Sequence, residues 1–70
     1  MTEYITNSVY TLRTKKGLTQ EELAEKVGIT RQTVIAIEKG NYTPSVLLAL
    51  KIASVFKVPT ENVFRISYGK

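Results

Sequence analysis

The chain has 70 residues, a net charge of +4 and a pI of 9.6, with neither cysteine nor histidine. This length allows one domain whose single core is close to the lower limit of self-sufficiency. The missing residue types exclude a disulfide framework and any Cys/His metal site. No run approaches the ~20 apolar residues of a membrane span, and MTEYITNSVY lacks the basic start and apolar stretch of a signal peptide. A soluble, cytoplasmic protein is therefore expected, and the basic balance favours a polyanionic partner.

Glu3–Thr6 leans towards β structure, with Tyr4 and Ile5 adjacent. Asn7 or Ser8 can cap a first helix that runs to about Lys16 and stops at Gly17, burying Val9 and Leu12, with Tyr10 as a third candidate. Lys15 and Lys16 lie in its last turn, where they compensate the helix dipole or meet phosphate. Arg13 shares the inward half of this helix, so its charged head needs a partner. Leu18 is expected between the first and second helices.

Thr19 opens the second helix with the capping box Thr-x-x-Glu: its hydroxyl accepts from the Glu22 amide while the Glu22 carboxylate reaches back. Leu23, Ala24 and Val27 mark one apolar stripe, with Ala24 small enough for a close helix crossing. Gly28 supplies the left-handed terminus that a side chain would resist. Glu21, Glu22 and Glu25 make an acidic outer side. No nucleophile, histidine or metal ligand accompanies these carboxylates, so an enzyme is not expected. Gln20, at the positive end of this helix, is placed to hold a phosphate. Thr30 caps the third helix, whose buried seam is Val34 and Ile37.

Arg31, Gln32 and Thr33 fill the first turn of that helix. They could be an ordinary solvated turn. They are also side chains that suit base edges: Arg binds guanine through two hydrogen bonds, Gln does so with adenine, and Thr offers a hydroxyl and a methyl. The window QEELAEKVGITRQTVIAIEK, residues 20–39, with Gln20, Ala24, Gly28, Ile29, Val34 and Ile37 at the same spacing and IEKGNYTPS following, resembles the helix-turn-helix of the phage repressor/Cro-like (XRE) transcription regulators. The resemblance implies that Arg31, Gln32 and Thr33 enter the DNA major groove. Ile35, on the exposed side, would touch a thymine methyl or be a tolerated surface residue. The resemblance also sets the loop Lys39–Tyr42 against the phosphate backbone through Lys39, Asn41 and the Tyr42 hydroxyl; otherwise the loop is a plain connector. Finally, it implies an ion pair between Arg13 and Glu38, an acid otherwise disfavoured at a helix C-terminus.

Thr43 is expected to cap a fourth helix with Pro44 in its first turn. Val46, Ala49, Leu50, Ala53 and Phe56 suit its inward stripe, leaving Leu47, Leu48 and Val55 as surplus apolar surface. Thr60 is expected to cap a short fifth helix, Glu61 to about Phe64. The tail Phe64–Tyr68 alternates like a strand and could pair antiparallel with Glu3–Thr6. Length and layout are most similar to the small dimeric cytolysin-repressor type.

The expectation is an all-α, compact five-helix domain over residues 1–70, with helices 2 and 3 forming the helix-turn-helix and a short terminal β pair. It would dimerise through Val55, Val58, Val63 and Phe64 and repress transcription at a near-palindromic operator in double-stranded DNA, without cofactor, metal or small-molecule ligand. A protein-interaction module or an antitoxin on the same scaffold is the alternative.

Overall fold

The computed structural model describes residues 2–69. Among these, the order is β1 (Thr2–Asn7), α1 (Val9–Lys15), α2 (Gln20–Val27), α3 (Arg31–Glu38), α4 (Val46–Phe56), a 3-10 turn (Thr60–Asn62) and β2 (Phe64–Gly69). The two strands pair antiparallel, with Thr2 opposite Gly69, Ile5 opposite Ile66 and Asn7 opposite Phe64. The chain ends thus meet in a two-stranded ribbon, and the fold is helical with a β element rather than all-α.

Local signals set the helix boundaries. The Thr19 hydroxyl accepts from the Glu22 amide at 3.0 Å, and the Glu22 carboxylate accepts from the Thr19 amide at 2.8 Å, which completes the capping box. Thr30 accepts from the Thr33 amide at the start of α3. Gly28 ends α2 at φ 77°, and the amides of Gly28 and Ile29 both donate to the Ala24 carbonyl. The same left-handed stop ends α4 at Lys57, a residue with a Cβ (φ 57°).

Val9, Leu23, Val27, Val34, Ile37, Ile52 and Val63 build the core, with Ala24 and Ala53 filling the narrow places. Among the helices, α2 and α3 make the most extensive contact, and Ala24 is buried there. A small side chain lets two short helices approach closely enough to bury both seams.

Several expectations are corrected. The fifth helix is only a 3-10 turn, closed by Asn62 donating to the Pro59 carbonyl and Val63 to Thr60. Too few residues separate Pro59 from β2 to close α-helical rings, and the Thr60 side chain caps nothing. Ser45, not Thr43, caps α4 by accepting from the Leu48 amide, and Pro44 lies before the helix. The inward stripe of α4 is Leu48, Ile52 and Ala53, while Val46, Leu47 and Leu50 face solvent. A helix apolar on several sides does not declare its buried face by periodicity. Tyr10 is exposed. Val63 has no exposed surface, so it belongs to the core of its own chain and cannot form an intermolecular contact.

Candidate nucleic-acid interface

The site is built on α3. Val34 and Ile37 anchor its inner side, so Gln32, Ile35, Ala36 and, one residue past the helix, Lys39 lie on the opposite side. Arg31 and Gln32 are exposed in the first turn, and the side chain of neither makes a hydrogen bond among the described residues. Thr33 is half-buried, and its hydroxyl lies 3.0 Å from that of Thr30, so part of its polar capacity is already used. Ile35 is half-buried rather than fully presented. The capped end of α3 carries the positive pole of the helix dipole, and no acidic residue occupies its first turn. This end is therefore electropositive and furnished with donors.

Around it, Lys15 is exposed in the last turn of α1, and Lys39, Asn41 and Tyr42 are exposed in the loop after α3. Lys39 and Tyr42 also line an open groove of 860 Å³ whose other wall is β1. Gln20 is half-buried at the start of α2, and its amide nitrogen donates to Glu38 at 3.1 Å. One of its hydrogens is thus committed inside the protein, which leaves the other to donate to a phosphate oxygen. Among the described residues, no group of His, Cys, Asp and Glu side chains is arranged to hold a metal ion.

Arg13 does not belong to the electropositive surface. Its Nε donates to Glu38 Oε2 at 2.6 Å, Nη2 to Oε1 at 3.2 Å and Nη1 to the Leu18 carbonyl at 2.8 Å. The guanidinium also lies 5.2 Å from the centre of the Tyr10 ring. The hydrogen bond that Arg13 donates to the Glu38 carboxylate, helped by electrostatic attraction to Glu38 and Tyr10, raises the Arg13 pKa above its ordinary value, against the opposing effect of burial. Arg13 stays charged, and its charge is spent on joining α1 to α3. Glu38 therefore ties the end of α3 to α1 through Arg13 and to α2 through Gln20.

Sequence reasoning missed the second partner of Glu38. It also missed the reach of Asn7, whose amide nitrogen donates to the Ile37 carbonyl at 2.9 Å. An Asn ahead of a helix signals a cap, but nothing local signals a contact with another helix.

Residues 9–63 match the family model described as helix-turn-helix. The chain is similar to the HTH-type transcriptional regulator YgzD of Bacillus subtilis, at 59% identity over 58 residues that cover 83% of this chain and 88% of that protein. It is also similar to RstR of Vibrio cholerae, a cryptic phage CTXphi transcriptional repressor, at 38% identity over 48 residues covering 69% of this chain and 43% of RstR. Its fold matches the restriction-modification controller protein C.AhdI of Aeromonas hydrophila with a TM-score of 0.72 and 35% identity, covering 77% of this chain and 82% of that one. The capped pair α2–α3, the small residue at its crossing and these relatives agree: the chain belongs to the XRE-type helix-turn-helix family of transcriptional regulators, a DNA-binding and non-enzymatic class.

Proposed function

We propose that residues 1–70 act as one DNA-binding domain that represses transcription by occupying a near-palindromic operator as a homodimer. The observation that carries this reading is the exposed, capped first turn of α3, where the side chains of Arg31 and Gln32 make no hydrogen bond among the described residues. Arg31 and Gln32 supply base choice, with Thr33 and Ile35 as flanking contacts. Gln20, Lys39, Asn41, Tyr42 and Lys15 hold the phosphates, which positions the helix without reading sequence. The dimer face is the end of α4 and the segment after it. Val55, Val58 and Phe64 are half-buried there against their own core and retain surface for a partner. Two such protomers would set their recognition helices about 34 Å apart, in successive major grooves on one face of the duplex. Bound there, the dimer blocks polymerase sterically. The named repressor RstR supports this direction of control.

A second reading has its own support. Val46, Leu47 and Leu50 are each more than half exposed on one helix, which suits a protein-interaction module or an antitoxin that docks a partner. Fluorescence anisotropy of the duplex upstream of the gene separates the two readings. Binding that resists nonspecific competitor, weakens steeply with salt and disappears in Arg31→Ala/Gln32→Ala supports the repressor. Absence of binding even at low salt refutes it and leaves the protein-partner reading.

A further inference from the structure

We propose that Asn7 is a positioning residue for DNA reading, one that sets the tilt of the recognition helix from the base of the terminal ribbon. This rests on the DNA-binding reading above. A single carboxamide serves two helices. Its oxygen accepts from the Val9 amide, the first of α1, at 3.1 Å, while its nitrogen donates to the Ile37 carbonyl in the last turn of α3 at 2.9 Å. The next residue is fixed as well, because the Ser8 amide donates to the Val63 carbonyl at 2.8 Å, directly before β2. The ribbon base, the start of α1 and the end of α3 therefore share one hydrogen-bonded junction.

This junction complements the Glu38 contacts. Glu38 holds the last turn of α3 to α1 and α2 through Arg13 and Gln20, and Asn7 holds the neighbouring residue to β1. Among the described residues, side-chain hydrogen bonds to the other end of α3 come only from its own cap, Thr30. The helix is thus tied by side chains of other elements at its C-terminal turn, while its reading end rests on the apolar contact of Val34 and on its own cap. A small rotation at that turn is carried along the rigid helix to Arg31 and Gln32. Of the small polar residues, only Asn offers a donor and an acceptor on one short planar group. Asp can still accept from the Val9 amide but has no hydrogen for the Ile37 carbonyl, and Ala can do neither.

That difference provides the test. Asn7→Asp, Asn7→Ala and the wild type are compared by amide hydrogen exchange and by the ratio of operator to nonspecific duplex affinity at one salt concentration. Ala53→Gly serves as a variant destabilised elsewhere. In Asn7→Asp, the Val9 amide stays protected while the amides of Lys39, Gly40 and Asn41 exchange faster; in Asn7→Ala both sets exchange faster. Both Asn7 variants lose about tenfold in the affinity ratio, and Ala53→Gly keeps it. The ratio discounts the charge added by Asp, and Asn7→Ala adds none. Unchanged exchange at Lys39–Asn41 overturns the junction, and an unchanged affinity ratio overturns its role in reading. An equal loss in Ala53→Gly shows general loosening and overturns the proposal too. A wild type without operator preference refutes the DNA reading itself, and the positioning role with it, separately from the exchange result.

Discussion

Replacing Glu38 by Ala tests whether the ion pair is a buried element or a solvated one. The paired side chains are only 8% and 7% exposed. The substitution removes both carboxylate acceptors of Arg13, at 2.6 and 3.2 Å, and also leaves the Gln20 amide without its partner. The guanidinium retains the Leu18 carbonyl and the Tyr10 ring, neither of which neutralises it. Stranding one member of a desolvated pair costs about 3–5 kcal/mol, whereas an exposed pair contributes at most about 1 kcal/mol. A domain of this length has about 4–10 kcal/mol of stability in total, so the loss would consume a large share of it. With a urea slope of about 1 kcal/mol per molar, the unfolding midpoint should fall by about 3–5 M. Far-ultraviolet circular dichroism at fixed protein concentration and neutral pH measures this. Arg13→Met/Glu38→Leu, which removes both charges and restores apolar volume, should recover most of the loss. A fall of less than about 1 kcal/mol in Glu38→Ala refutes the argument, because water would then be screening the pair.

Four further expectations follow from the structure. Gly28→Ala meets no atom within 4 Å, so its cost is the left-handed backbone alone, about 1–2 kcal/mol. Lys57→Gly relieves the same strain at φ 57° and should stabilise by up to about 1 kcal/mol after the entropy of glycine in the unfolded chain is counted; a lower urea midpoint contradicts this. Because the Arg13 pKa is raised in the fold, its contribution is complete below the ordinary guanidinium value and fades only as pH rises through the higher one. The midpoint difference between wild type and Arg13→Met should therefore be the same at pH 7 and pH 9, and a shrinking difference argues against a persistent charge. For the proposed dimer, Val58→Asp should sediment as a monomer at concentrations where the wild type is dimeric, whereas Leu47→Lys should not alter the assembly. The reverse pattern moves the interface to the start of α4.

The sequence by itself determined what depends on neighbours a few residues apart. The Thr19 capping box, the Thr30 cap, the Gly28 stop and the Val34/Ile37 seam each involve groups within one or two helical turns, so local chemistry suffices to fix them. Base-reading chemistry was legible for a similar reason, because Arg31 and Gln32 follow a cap that marks the first turn of a helix. The tertiary structure alone decided which side of α4 is buried. Its apolar residues satisfy more than one stripe, and packing against α2 and the 3-10 turn selects Leu48 and Ile52 over Val46 and Leu50. It also decided that Val63 is core rather than interface, since closing the ribbon carries that side chain inward. The links from Glu38 to Gln20 and from Asn7 to Ile37 join residues 18 and 30 positions apart. Hydrogen bonds of that span leave no periodic trace in a chain, because they exist only once packing has brought two helix ends and a strand together.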